Sequence, residues 1–122
     1  MRSITVSLES DLSALLKTLC PRVFPDLAPI NTTLPYVTWQ ALGGESARFL
    51  DGTAADKRNV YLQVNVWAKT RLESLALIRV IEDALCMSST LTARPEGEAI
   101  STYESDTLLY GSLQRYSVWA AR

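Results

Sequence analysis

Few residues in this chain could do chemistry. It contains no histidine, so the commonest general base and the commonest transition-metal ligand are both missing. Two carboxylate pairs occur, Glu82 with Asp83 and Glu104 with Asp106. Near neighbours on a helix or strand do not converge on one point, so neither pair suits acid/base work. The two cysteines, Cys20 and Cys86, fall near helix ends and read as reduced thiols rather than a disulfide. A nucleophilic thiol also needs a partner base, and the sequence supplies none. No GxGxxG, GxxxxGKS/T, GxSxG or CxxC string is present, and Gly43-Gly44 alone makes no phosphate loop. The expectation is a protein that is not an enzyme, with no cofactor and no metal.

Binding of nucleic acid finds little more support. Trp39, Trp67 and Trp119 all fall in predicted strands. Aromatics of that kind can stack single-stranded bases, but only beside a basic groove. The net charge is −1, with acids and bases interleaved, so sheet packing is the expected role and neither nucleic acid nor an anionic membrane is implied.

The elements that position these residues are organised around the stretch Arg58 to Cys86. Val60, Leu62, Val64 and Val66 alternate with Tyr61, Gln63, Asn65 and Trp67, the period of a strand with one buried face. Thr70-Arg71-Leu72-Glu73 then has the form of a capping box, in which the Thr70 hydroxyl accepts from the Glu73 N–H. The helix that follows buries Leu77, Ile78, Ile81, Ala84 and Leu85; Leu72 and Leu75 fall outside that stripe.

Upstream, Leu8, Leu12, Leu15, Leu16 and Leu19 form the apolar stripe of a first helix, which Pro21 ends. Four prolines between 21 and 35 predict an extended, ordered loop with Phe24 and Leu27 tucked beneath it. Residues 36–43 alternate as a strand, and a polar connection over 44–57 follows, in which Phe49 and Leu50 could form a short strand or flap. Residues 87–98 read as a loop. Two more strands follow, joined at Glu104-Ser105-Asp106. The last changes phase between Leu113 and Tyr116, which predicts a bulge near Leu113 to Arg115 or at Gly111.

At 122 residues, with 48% hydrophobic and 20% charged residues, the chain is expected to form one domain over 1–122 with an ordinary globular core. The expected fold is α+β: an antiparallel sheet of about four strands with two helices packed on one face, in the order α-β-β-α-β-β. No apolar run approaches the ~20 residues that span a bilayer, and the interrupted N-terminus predicts synthesis in the cytoplasm.

Several strings carry a family resemblance. RVFPDLAP at 22–29, PYVTWQ at 35–40, Asp51-Gly52, VYLQVNVWA at 60–68 with the helix after it, and DTLLYGSLQRYSVW at 106–119 resemble, in order and spacing, tail-completion proteins of tailed phages. The resemblance covers nearly the whole chain and includes the tail terminators of lambda-like phages. It implies a structural phage or prophage protein that forms a homo-oligomeric ring, usually hexameric. The ring caps the tail tube and joins the tail to the head. Its partners would be other copies of itself, the tail-tube protein and a head-completion or connector protein, with no membrane and no sequence-specific nucleic acid. Its location would be the tail or neck of the virion, after assembly in the host cytoplasm. The other reading left open is a small cytoplasmic adaptor that binds a protein or single-stranded nucleic acid without catalysis.

A closed ring needs head-to-tail contacts between unlike surfaces. Two segments are expected to supply them: the 44–57 connection, with Glu45, Arg48, Phe49, Asp51, Asp56 and Lys57, and the proline-rich loop around Arg22 and Asp26. Charges of both signs there would set register between neighbours.

Overall fold

A computed structural model describes residues 8–45, 52 and 57–121. Its elements run α1 (Leu8–Leu19), β1 (Val23–Pro25), β2 (Tyr36–Ala41), β3 (Lys57–Ala68), α2 (Arg71–Cys86), β4 (Leu91–Pro95), β5 (Ile100–Glu104) and β6 (Leu109–Ala121). The sheet has six strands and is mixed: β1 pairs parallel with β2, and every other pair is antiparallel. This overturns the expected antiparallel four-strand sheet and its α-β-β-α-β-β order. The two added strands lie in segments read as loops, β1 in the proline-rich stretch and β4 in 87–98. Both are short and both end in proline, which a sheet tolerates at its margins. Phe49 and Leu50 lie outside the described residues.

The strand order is β1-β2-β3-β6-β4, with β5 also paired to β6. β3 and β6 form the spine, in unbroken register from Lys57 opposite Ala121 to Ala68 opposite Tyr110. The expected bulge in β6 is therefore absent. The irregularity sits in its partner, because β4 ends opposite Tyr116 and β5 begins opposite Leu113. The segment 96–99 thus spans only Gln114 and Arg115. It stays attached there: Glu96 N–H donates to the Arg115 carbonyl at 2.8 Å, and Gln114 Nε2 donates to the Gly97 carbonyl at 2.9 Å.

Alternation in β3 puts Val60, Leu62, Val64, Val66 and Ala68 on the buried face. Both helices cover that face, α1 through Leu8, Leu12 and Leu16 and α2 through Ile78, Ile81 and Leu85. The Thr70 cap forms as expected, its hydroxyl accepting from Glu73 N–H at 3.2 Å. Arg58 ties the start of β3 to α1 by two contacts with the Glu9 carboxylate, at 3.0 and 3.2 Å.

Polar residues of β6 enter the helix-facing layer as bonded pairs. Ser112 meets Ser74 at 3.0 Å, and the buried Tyr116 hydroxyl donates to Gln114 Oε1 at 2.8 Å. Burial, reinforced by the charges of Glu82, Cys86 and Asp83, pushes the Tyr116 phenol well above its ordinary value of 10.0. Tyr36 is raised too, by burial and then by Glu104. A folded-state pKa above the unfolded one gives stability that is complete below pH 10 and lost as pH rises beyond it. Urea midpoints should therefore fall above about pH 10. Tyr116→Phe should flatten that fall while costing about 1 kcal/mol near neutrality, because Gln114 loses its donor. A variant whose alkaline slope matches the parent would refute the assignment.

Candidate functional site

The described interface candidates fall at two ends of the sheet. At one end, Arg22 and Asp26 bracket β1. Arg22 Nε donates to the Pro35 carbonyl at 2.9 Å, and the Arg22 carbonyl accepts from Val37 N–H at 2.9 Å. Asp26 is exposed, adopts a φ of 63°, and donates its N–H to the Trp39 carbonyl at 2.8 Å. At the other end lie Glu45 and Lys57, both exposed. β3 separates the groups unequally: the Arg22 carbonyl meets Val37, opposite Val66, about 30 Å along the strand from Lys57 at the usual rise, whereas Asp26 bonds Trp39, opposite Val64, about 23 Å from Lys57. Arg48, Phe49, Asp51 and Asp56 lie outside the described residues.

The second group has a built anchor. β2 continues past its last paired residue, with Leu42 N–H donating to the Tyr61 carbonyl at 2.7 Å and Tyr61 N–H donating to the Gly43 carbonyl at 2.8 Å. Asn59, almost fully buried, then joins three segments. Its Oδ1 accepts from Glu45 N–H at 2.9 Å, and its Nδ2 donates to Ser117 Oγ at 3.0 Å and the Val118 carbonyl at 3.1 Å. Where the chain leaves the sheet toward residue 46, it is thus fixed to both spine strands. Gly44 permits this, as it sits directly against the Asn59 carbonyl.

The first group is accompanied by surfaces that the sequence reading missed. Leu27, expected to tuck under its loop, is 83% exposed, and Ile30 is 93% exposed. Left-handed backbone at Asp26 and Asn31 (φ 63° and 65°) turns this loop outward. Beside its base, a groove of about 360 Å³ runs between the end of α1 and the outer side of α2. It is lined by Leu19, Pro21, Pro35, Leu77 and Val80, with Arg22 and Glu73 among its polar residues. Leu72, outside the buried stripe, is 81% exposed on α2. That departure from the stripe was the available signal for an apolar outer surface.

The face of the sheet away from the helices carries Tyr61, Gln63, Asn65, Trp67, Leu113, Arg115, Ser117 and Trp119, none of them fully buried. Trp67 lies across Gly111, and Trp119 lines a hollow with Tyr61 and Arg94. Trp39 faces the helices and packs on the core.

Glu82 and Asp83 line one hollow with Glu98 and Arg79. Glu82 accepts from Gln114 Nε2, while Asp83 is exposed. Cys86 is exposed and Cys20 buried, both free. Partial desolvation and the carboxylates of Glu82 and Asp83 push the Cys86 thiol up, away from the thiolate a nucleophile requires. Among the described residues, no cluster of acidic or sulfur ligands could hold a metal, and no helix is long and apolar enough to cross a membrane.

The interface candidates that the structure describes are thus anchored loops and side-chain surfaces. None of the curated proteins matches the chain. The family model for tail completion protein gp17 matches residues 5–121, and the chain therefore belongs to this family of phage tail-completion proteins, with a structural role in the virion tail.

Proposed function

We propose that the protein is a tail terminator: copies assemble into a ring, hexameric by analogy with lambda-like terminators, that caps the tail tube and joins it to the head. Family membership over residues 5–121 carries this reading. The separation of the two surface groups along β3 supports it physically. A subunit that meets neighbouring copies, a tube below and a connector above needs distinct surfaces in different directions. Arg22 and Asp26 serve one of these, and Glu45, Arg48, Phe49, Asp51, Asp56 and Lys57 serve another. Assembly is coupled to the tube, whose protein is the natural partner.

The test is assembly with and without tail-tube protein, followed by sedimentation and electron microscopy, together with tail lengths in a phage lacking this gene. Closed rings at tube ends and overlong or headless tails are the expected outcome. A chain that stays monomeric in the presence of the tube, combined with normal tails in its absence, would overturn the proposal.

A further inference from the structure

Ring closure requires two unlike patches on one subunit that fit each other, and the molecule carries an apolar projection and an apolar hollow. The projection is the loop bearing Leu27 and Ile30, 83% and 93% exposed. The hollow is the groove between α1 and α2 lined by Leu19, Pro21, Pro35, Leu77 and Val80. An isoleucine so exposed is not seated in the groove of its own chain. The loop is also held rather than loose: Asp26 N–H bonds the Trp39 carbonyl, and Thr32 N–H and Oγ1 both bond the Pro29 carbonyl. A loop ordered in this way gives up little conformational freedom on docking.

Charge gives the pairing a direction. Asp26 stands exposed at the base of the projection, immediately before Leu27. Arg22 lines the groove, and the Pro35 carbonyl holds its Nε at 2.9 Å, which fixes the guanidinium there. Glu73, the groove's acidic residue, disfavours an approach that brings Asp26 to the α2 side.

Resting on the ring reading above, we infer that the Leu27–Ile30 projection of one copy docks in the α1–α2 groove of the next, with Asp26 meeting Arg22 across the contact. The contact is heterologous: each copy offers a projection to one neighbour and a groove to the other. Charge pairing fixes its register, and the two apolar side chains, leaving water, supply most of its affinity.

The experiment uses the full chain with tail-tube protein and two variants, Ile30→Asp on the projection and Val80→Asp in the groove. Circular dichroism first checks that each remains folded, and Leu27→Asp replaces Ile30→Asp if it does not. Each variant alone should lose ring assembly, with subunit association weakened at least about 30-fold, the size of one hot-spot side chain. An equimolar mixture should stop at heterodimers in native mass spectrometry, because one intact projection and one intact groove remain between them. Asp26→Arg should weaken assembly in the same direction.

Parent rings alongside undiminished Ile30→Asp rings would overturn the inference and leave the ring reading standing. Ile30→Asp rings that form but no longer attach to the tube would overturn it in favour of a tube contact. A parent chain that stays monomeric with the tube present would remove both.

Discussion

Replacing Gly44 with alanine should lower folding stability by about 3 kcal/mol, the sum of an overpacked contact and a disfavoured backbone angle. An added Cβ would stand 2.3 Å from the Asn59 carbonyl oxygen, 2.9 Å from its carbon and 3.0 Å from the Val60 Cα. All three atoms are backbone of β3, which is held by β2 on one side and β6 on the other, so none can swing aside. The φ of 155° adds its own cost for any residue with a side chain. The chain can escape only by lifting residues 43–45 off the strand, which sacrifices the hydrogen bonds to Tyr61 and Asn59. Urea unfolding should therefore give a lower midpoint with an unchanged slope, and amide exchange at Tyr61 should accelerate. An unaltered midpoint would mean that this contact does not constrain the segment. Because the same residues launch the 44–57 connection, assembly should weaken in the variant even where the fold survives.

Gly111→Val sets intrinsic preference against packing. Valine favours strands and glycine weakens them, so propensity alone predicts a gain of up to about 1 kcal/mol. The structure predicts a loss of about 2 to 3 kcal/mol, the range of overpacked sites. A Cβ at 111 would meet Thr102 Cγ2 at 2.7 Å and the Trp67 ring at 2.8 and 3.0 Å. The indole, opposite Gly111 in the register, occupies the volume that any other residue there would fill. Combining Gly111→Val with Trp67→Leu should recover much of the loss, giving a coupling of at least about 1 kcal/mol in a double-mutant cycle. Strict additivity would show that the ring and the glycine do not share that space.

The role of Gly111 marks the boundary of what could be read from residue order. Gly111 and the phase change after Leu113 were visible as anomalies, and a bulge is the usual remedy for such a pattern. The register instead runs straight through. What changes is chemistry: Ser112 and Gln114 occupy helix-facing positions because Ser74, Glu82 and the Gly97 carbonyl are there to bond them. Partners so distant in sequence leave no local trace. Where a local signal exists, it was sufficient. The leucine stripe of α1, the alternation of β3 and the Thr70 cap of α2 each specify their element from a dozen or so residues. β1 and β4 offer no such signal, being three and five residues long, and β1 is a strand only because residues 26–35 return the chain to lie alongside it. The candidate surface follows the same rule. Charge singled out Arg22 and Asp26, but the exposure of Leu27 and Ile30 depends on a loop path set by two left-handed residues.

The two margins of the sheet have a consequence of their own. β1 is three residues long, with Pro21 before it and Pro25 at its end, and the opposite margin is broken between Pro95 and Ile100. Exposed strand edges recruit one another into fibrils, and proline and interruption are the usual protection. With both described margins blunted by short strands that end in proline, edge-to-edge strand pairing is disfavoured there, and contacts between copies would fall to side-chain surfaces, which a single charge can govern.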